Sequence, residues 1–208
     1  MPLSKVPQSL HEDGSIGTTQ LADSGVTTGK LADGGVTTVK VADGAITPVK
    51  LAQRLTAGTS QATTSGTAKD FTGIPSWVQK ITLALRGVSI NGTSGLLVQI
   101  GSGSVQNTGY VSTSCYAATG NQAGSQSATS GFVIVFGSAS QVFSGHVVLT
   151  HMGGNIWVAS HSGGLSTTIA AFGGGDVALS GALDRVRLTS VNGTDAFDAG
   201  SINILYEG

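Results

Sequence analysis

The residues able to bind a metal or transfer a proton are few in this sequence and widely spaced. Its histidine and cysteine residues are His11, Cys115, His146, His151 and His161. They form no His-X-His pair, no Cys/His cluster and no His-Glu-X-X-His motif, which are the spacings typical of protein zinc sites. We therefore predict no metal site and no cofactor within one chain. In an oligomer, a histidine could still meet its own copies on a symmetry axis and bind an ion there.

The acidic residues allow two interpretations. Asp195 and Asp198 follow Asn192 in the segment NGTDAFDAG, where they could surround Ca²⁺ or hold tight turns, and the turn role is favoured. A glycan hydrolase would need two carboxyl groups roughly 5–9 Å apart, for which Asp176, Asp184 and Asp195 are the candidates. No nucleophile-elbow or phosphate-loop motif accompanies them. The chain is therefore predicted not to be an enzyme.

Charge and composition narrow the class of protein. Only 10% of the 208 residues are charged, against about 25% in an average soluble protein, and the net charge is −1. Such a chain has no basic patch for nucleic acid or anionic lipid, and no segment reaches the roughly 18 apolar residues of a membrane helix. The N-terminus lacks the apolar core of a secretory signal. We expect cytoplasmic synthesis, with no nucleic-acid partner and no membrane insertion.

The most regular feature is a repeat of ten residues in the N-terminal third. Four decamers align without gaps from residue 14 to residue 53: GSIGTTQLAD, SGVTTGKLAD, GGVTTVKVAD and GAITPVKLAQ. Their third position is β-branched, their eighth is aliphatic and their ninth is alanine. Large aliphatic residues consequently recur every five residues, at Ile16, Leu21, Val26, Leu31, Val36, Val41, Ile46 and Leu51.

This five-residue spacing matches neither a continuous helix nor a regular strand. The pairs Thr27-Thr28, Thr37-Thr38 and Thr47-Pro48 are typical of helix starts. The first three decamers then close with Ala-Asp before Gly or Ser, which is typical of a turn. We predict that each decamer forms one helical turn followed by a tight turn.

A single chain of decamers buries too little apolar surface to fold alone. Its two aliphatic side chains contribute ~4 kcal/mol per decamer, whereas each ordered backbone residue costs about 1 kcal/mol or more. Three copies wrapped around one axis could bury the aliphatic residues between them. Residues 14–55 are therefore predicted to be the intertwined, repetitive fibrous stalk of a homotrimer, with a flexible low-complexity linker as the alternative.

The C-terminal part, residues 71–208, alternates short strand patterns with glycine-containing turns. About eight strands and no helical stretch predict an all-β C-terminal sandwich that is jelly-roll-like, with an open barrel as the alternative. The expected strands are 77–88, 96–100, 132–136, 142–150, 156–159, 177–179, 183–188 and 202–206. Asn91-Gly92 and Asn192-Gly193 are expected to form tight turns. Residues 56–70, rich in small residues, are predicted to be a neck or linker.

Two segments of the C-terminal part, 101–131 and 161–175, are predicted to be long loops. Loops on a rigid scaffold often carry recognition, and tyrosine among serine, glycine and asparagine suits adaptable binding surfaces. Edge strands packed against neighbouring copies are the alternative. The candidate surface-recognition residues are Tyr110, Tyr116, Asn121 and Gln122.

The first residues of the chain are predicted to be a docking peptide. Residues 1–13 are short and carry spaced apolar side chains at Leu3, Val6 and Leu10. We expect them to attach the protein to other proteins of a larger assembly.

The sequences of several segments resemble those of a known protein family. GIPSWVQKITLALRGVSINGTSGLLVQIG (73–101), TGY (108–110) and LDRVRLTSVNGTDAFDAGSINILYE (183–207) resemble a domain at the ends of short tail-fibre-like proteins of phages and prophages. The decamers are similar to the stalk repeats of such fibres. The resemblance implies a trimeric virion component and supplies no catalytic residues.

The expected function is therefore that of a structural virion protein of a bacteriophage. In the preferred form it is a trimeric tail fibre or tip that contacts the host cell surface, binding a glycan or protein there. A head fibre or capsid-decorating trimer, anchored by residues 1–13, is the alternative, and a fibre-borne glycan hydrolase is a third hypothesis. In each case the protein is made in the host cytoplasm and exposed on the particle surface.

Overall fold

The structure is a computed structural model that describes residues 25–27, 29, 31–42, 45–46, 55–135 and 138–208. The chain divides into two compact units, Met1–Thr47 and Pro48–Gly208. Some of the residues singled out above lie outside the described part of the chain: Leu3, Val6, Leu10, Ile16, Leu21 and Leu51.

The described residues of the N-terminal unit include a helical turn and a tight turn. A 3-10 helical turn spans Thr38–Lys40, and the Lys40 backbone N–H donates to the Thr37 carbonyl oxygen at 2.9 Å. The preceding Ala-Asp-Gly-Gly segment is a tight turn, closed by a 2.8 Å hydrogen bond from the Gly35 N–H to the Ala32 carbonyl oxygen. The Lys40 ammonium group donates to the Gly35 carbonyl oxygen at 2.8 Å and so ties the two turns together.

The described part of the C-terminal unit contains fourteen strands and no α-helix. The strands are β1 (Leu55–Ala57), β2 (Gln61–Ala62), β3 (Ala68–Thr72), β4 (Lys80–Ile90), β5 (Leu96–Ser102), β6 (Ser104–Val105), β7 (Val111–Ala118), β8 (Gln122–Ala128), β9 (Phe132–Ile134), β10 (Phe143–Gly153), β11 (Ile156–Gly164), β12 (Ile169–Ala178), β13 (Arg185–Ser190) and β14 (Phe197–Glu207). No helix in this part is long and apolar enough to cross a membrane.

Two antiparallel sheets hold all of these strands. Among the described residues, the larger sheet has nine strands in the order β1-β14-β4-β10-β11-β12-β7-β8, with β2 beside β14. The smaller sheet has five, in the order β3-β13-β5-β6, with β9 beside β5. The inner faces of both sheets contribute to one hydrophobic cluster. The prediction of an all-β, sandwich-like unit is therefore confirmed.

The core is built by strands whose apolar residues alternate with polar ones. Ile81 and Leu83 of β4 are fully buried and Leu85 nearly so, as their period of two predicts. In the smaller sheet, Val186 and Leu188 of β13 are also fully buried and belong to the same hydrophobic cluster. Each such side chain contributes roughly 1.5–3 kcal/mol on burial.

The two segments predicted to be long loops lie mostly in strands, as the alternative of edge strands had it, so the loop prediction itself is wrong. Segment 101–131 contains β6 and the β7–β8 hairpin, and segment 161–175 contains the end of β11 and the beginning of β12. The inward-facing residues of β7 include Ser112 and Ser114, both buried, instead of large aliphatics. In these strands the inward-facing and outward-facing residues are mainly serine, alanine and glycine, which differ little in hydrophobicity. The sequence therefore lacks the apolar–polar alternation of a strand and is typical of a loop.

The glycine run of β12 belongs to the same correction. Gly173, Gly174 and Gly175 lie in the middle of the larger sheet, between β11 and β7. A Cβ atom on Gly175 would overlap the Val111 carbonyl oxygen, and one on Gly173 would overlap the Thr113 carbonyl oxygen. The run therefore allows close approach of neighbouring backbones within a sheet.

The segment 56–70, predicted to be a neck or linker, contributes strands to both sheets. Strands β1 and β2 pair with β14 at the edge of the larger sheet. Strand β3, which begins within this segment, pairs with β13 of the smaller sheet. Sheet pairing therefore begins at Leu55 in the described structure.

The two Asn-Gly segments lie side by side. The Asn91 side-chain oxygen accepts from the Ala196 N–H at 2.9 Å, and the Asn192 N–H donates to the Ser94 hydroxyl at 3.1 Å. Asp195 joins them, accepting from the Ser94 N–H at 3.1 Å and from the Asn192 carboxamide at 2.7 Å. The turn role favoured for this aspartate over a calcium site agrees with these bonds.

A glycine substitution tests the close approach in β12. Gly175→Ala should lower the free energy of unfolding by about 1–3 kcal/mol, because the new methyl group must displace the backbone of β7. Gly164→Ala is the matched control, since its Cβ would meet only ordinary contacts at 3.6 Å or more. Urea denaturation of both variants measures the difference. Equal stability of the two variants would contradict the packing described here.

Candidate recognition surface

Tyr110 is a buried structural residue, which corrects its prediction as a surface-recognition residue. Only 2% of it is exposed, and its ring packs edge-on against Phe132 with centroids 5.0 Å apart. Its hydroxyl accepts from the Ile100 N–H at 2.8 Å and donates towards the carbonyl oxygens of Ile100 and Gln106 at 3.0 and 3.1 Å. Burial raises the pKa of Tyr110 to about 12.

Tyr116 is half-buried and contributes mainly to packing. It pairs across β7 and β8 with Gly124, and its ring occupies the space that a Cβ atom on Gly124 would need. The ring also packs against the hydrophobic core. Tyr116 therefore covers a glycine of the outermost strand of this sheet.

Asn121 and Gln122 are the two candidates that the structure places on an exposed surface. A three-residue loop, 119–121, connects β7 to β8, and Gly120 and Asn121 adopt positive φ angles of 83° and 61°. Asparagine tolerates this left-handed conformation better than most residues. Both Asn121 and Gln122 are exposed. They form the tip of the β7–β8 hairpin.

An open groove lies beside this tip, and we call it the hairpin-end groove. It is lined by residues 117–119 of the β7–β8 hairpin and by residues 163–164 and 166–170 of the β11–β12 hairpin. Its volume is about 520 Å³. The Thr119 N–H donates to the Thr168 carbonyl oxygen at 3.0 Å, which holds the two hairpins together.

The lining of the hairpin-end groove is neutral and rich in hydroxyl groups. Thr119, Ser166, Thr167 and Thr168 supply the hydroxyls, and Ile169 with several alanines supplies apolar contacts. The lining includes no titratable side chain. The groove can therefore offer hydrogen bonds and van der Waals contacts to an uncharged polar ligand, and it has no group for proton transfer.

A serine–histidine pair that the sequence did not reveal lies inside the sandwich. The Ser114 hydroxyl is 2.9 Å from Nε2 of His161, and the two residues are 0% and 6% exposed. Because Ser114 Oγ already accepts from the Val135 N–H at 3.0 Å, its proton is free to point at the histidine. Burial lowers the pKa of His161 to about 4, so the ring is neutral.

Two serines of β7, Ser112 and Ser114, join the two sheets. The Ser112 hydroxyl accepts from the Val133 N–H at 2.9 Å, and the Ser114 hydroxyl accepts from the Val135 N–H at 3.0 Å. These bonds connect β7 of the larger sheet to β9 of the smaller sheet and to the residue that follows β9. His161 fits beside Ser114 because its neighbour across the sheet is Gly173. Since a substrate could reach the Ser114–His161 pair only by opening the sandwich, we assign it a structural role.

The carboxylates singled out from the sequence are dispersed. Asp184 bonds to Arg185 at 2.7 Å and to the Gly103 N–H at 3.1 Å, and chiefly the Arg185 hydrogen bond lowers the pKa of Asp184. Asp198 bonds to the Ser89 hydroxyl, and Asp176 is exposed on β12. The described residues contain no group of three or more histidine, cysteine or acidic side chains that could hold a metal ion.

The remaining histidine and cysteine residues of the described unit are also separate. His151 stacks on Trp157 with ring centroids 5.0 Å apart, and its Nδ1 is 2.9 Å from the Gln79 side-chain oxygen. His146 is exposed on β10, and Cys115 is a half-buried free thiol on β7.

Comparison of the chain with protein-family models, with curated proteins and with solved structures finds no match.

The buried histidine makes stability depend on pH. The histidine of the unfolded chain binds a proton near pH 6.5, whereas folded His161 binds one only near pH 4. The native state therefore loses stability relative to the unfolded state as the pH falls from 6.5 to 4. The loss should approach about 3 kcal/mol, at 1.36 kcal/mol per pH unit. Urea denaturation at several pH values should show this slope in the wild type and a flatter one in His161→Gln.

The matched control for this experiment is His146→Gln, which changes an exposed histidine of the same sheet. It should retain the wild-type pH dependence. Identical pH dependence in His161→Gln and the wild type would mean that His161 is not buried as a neutral ring.

Proposed function

We propose that this chain is a structural protein of a bacteriophage particle: a homotrimeric tail fibre or tip whose C-terminal unit contacts the host cell surface. The observation that carries the proposal is the decamer register, because its described aliphatic residues Val26, Leu31, Val36 and Ile46 are about half exposed within one chain. The N-terminal residues 1–13 would attach the trimer to other virion proteins. The resemblance of the decamers and of the C-terminal segments to tail-fibre-like proteins supports the same assignment.

The exposure of the register residues supports assembly. Val26, Leu31, Val36 and Ile46 are 48%, 48%, 55% and 54% exposed, although each is a large aliphatic residue. Val41 is half-buried. Apolar surface left in water costs about 25 cal/mol per Å² relative to burial, so contact with identical residues of two further chains would be favourable.

One residue outside the register provides a contrast within the same decamer. Val39 is 93% exposed, far more than Val36 three positions earlier. Val36 belongs to the five-residue register and Val39 does not. In the proposed trimer, Val36 would become buried at the axis, whereas Val39 would stay exposed to water.

The sandwich unit is suited to carry a recognition surface. Crossovers between the sheets, such as β4 to β5 and β12 to β13, support a jelly-roll-like arrangement, although β10-β11-β12 is a simple meander. Such a rigid scaffold positions the two hairpin tips that border the hairpin-end groove. We propose that this groove, with Asn121 and Gln122, binds a neutral glycan or peptide segment on the host surface.

An alternative attachment, as a head fibre or capsid-decorating trimer, uses the same stalk and the same exposed unit. A glycan-hydrolase role receives less support, since the candidate carboxylates lie in separate turns and ion pairs. We therefore propose a structural, non-enzymatic role for the chain.

An aspartate at position 36 tests the shared stalk core. Val36→Asp would place three carboxylates on the proposed axis, and burying unpaired charge costs several kcal/mol, so the trimer should dissociate to monomers. Val39→Asp, with the same change outside the register, should leave the trimer intact. Light scattering coupled to gel filtration gives the mass of each variant. A Val36→Asp protein that stays trimeric would contradict the proposed core.

A tryptophan in the hairpin-end groove tests the proposed recognition surface. Ala170→Trp should reduce binding of the labelled full-length protein to host cells by about tenfold or more, because the indole fills the groove. Ala178→Trp is the matched control: it changes another exposed alanine, at the opposite end of β12. Both variants should fold normally. Equal cell binding of the two would show that recognition lies elsewhere.

A further inference from the structure

A second groove lies on the outer face of the smaller sheet, and we call it the small-sheet groove. Its volume is about 340 Å³, within the range of roughly 300–1,000 Å³ typical of small-molecule clefts. Because Val186 and Leu188 of β13 point into the core, the alternate residues of β13 face this groove. The residues that supply its polar groups are Gln99, Asn107, Ser130, Arg187, Thr189 and Asn192.

Arg187, which lines the small-sheet groove, is held in place by an ion pair with Asp70, which lies outside the lining. Arg187 donates from Nε to Oδ1 of Asp70 at 2.7 Å and from Nη2 to Oδ2 at 2.8 Å. This bidentate contact orients the guanidinium plane and places a carboxylate beside its charge. Within the described residues, Nη1 of Arg187 has no acceptor and can therefore donate to a ligand.

The Gln99 carboxamide is a second oriented group. Gln99 is only 8% exposed, and its Nε2 donates to the Ser130 carbonyl oxygen at 2.8 Å. This bond fixes which end of the amide is oxygen. In the described part of the chain, Oε1 of Gln99 accepts no hydrogen bond, so a nearly buried side chain retains one acceptor for a ligand.

We propose that the small-sheet groove binds a neutral pyranose sugar through neighbouring hydroxyl groups. A sugar hydroxyl donates one hydrogen bond and accepts others, so two adjacent hydroxyls match an oriented donor, Arg187 Nη1, and an oriented acceptor, Gln99 Oε1. The exposed carboxamide of Asn107 at the rim supplies a further donor and acceptor. Balanced charge in the groove favours an uncharged sugar over an anionic one.

This inference rests on the proposed function in one respect: the sugar is expected to belong to a polysaccharide of the host surface. Binding of the sugar itself is a property of this chain. The lining includes no aromatic ring for stacking, so the affinity for one sugar unit should be weak, about millimolar. A trimer would present three copies of the groove, which raises the avidity for a polymer.

Saturation-transfer NMR on the full-length protein tests this assignment with the methyl glycosides of glucose, galactose and mannose as probes. At least one of them should receive saturation from the wild-type protein. Arg187→Met should weaken its binding by about tenfold or more, since a hydrogen bond from a charged donor is lost. Asn107→Ala should weaken it less. The exposed Asp70–Arg187 ion pair contributes little to stability, so both variants should remain folded.

Arg185→Met is the matched control. Arg185 also makes a bidentate contact with an aspartate, Asp184, and lies two residues along the same strand, yet it does not line the groove. Its loss should leave sugar binding unchanged. No transfer to any of the three glycosides, or equal transfer in Arg187→Met and the wild type, would overturn the proposal.

The experiment also separates this inference from the proposed function. If Ala170→Trp abolishes transfer and Arg187→Met does not, the sugar binds the hairpin-end groove, and the inference fails while the adhesive function stands. If Arg187→Met abolishes transfer from a protein that proves to be monomeric, the inference stands and the fibre proposal fails.

Discussion

Large apolar side chains are scarce in this chain, and where they lie determines what each part can do alone. The C-terminal unit concentrates them between two sheets, where residues such as Ile81, Leu83 and Leu149 are fully buried. The decamers carry two each, spaced five residues apart, and four of the five that the structure describes are about half exposed in a single chain. One unit thus has a core of its own, whereas the described residues of the other show a regular row of partly exposed apolar side chains. Sharing that row between chains is the simplest way to bury it.

Small polar residues take the place of large ones elsewhere in the sandwich, and this shapes its surfaces. Serines of β7 join the sheets through hydrogen bonds to backbone N–H groups, and glycines of β12 let strands approach closely. The same residue types line the hairpin-end groove with hydroxyls and short side chains. The hairpin-end groove is therefore neutral and rich in hydrogen-bonding groups, which would suit an uncharged polar ligand better than an ionic one.

How much of this could be predicted from the sequence depended on hydrophobic contrast. Strand β4 was predictable because Ile81, Leu83 and Leu85 alternate with polar residues. Strands β7 and β8 were not, since buried serines and exposed alanines have no such contrast. Of the candidate recognition residues, Asn121 and Gln122 lie on an exposed tip, whereas Tyr110 is buried by contacts from segments distant in sequence. The Ser114–His161 pair spans 47 positions and depends on strand order, which residue spacing does not determine.

We expect the proposed stalk to form only as a shared structure of three chains. Sedimentation equilibrium of the full-length wild-type protein over a range of concentrations tests it most directly. A single species of three times the chain mass of 20.7 kDa is the predicted result. A stable monomer at all concentrations would contradict it, because the aliphatic register would then have no shared core to form.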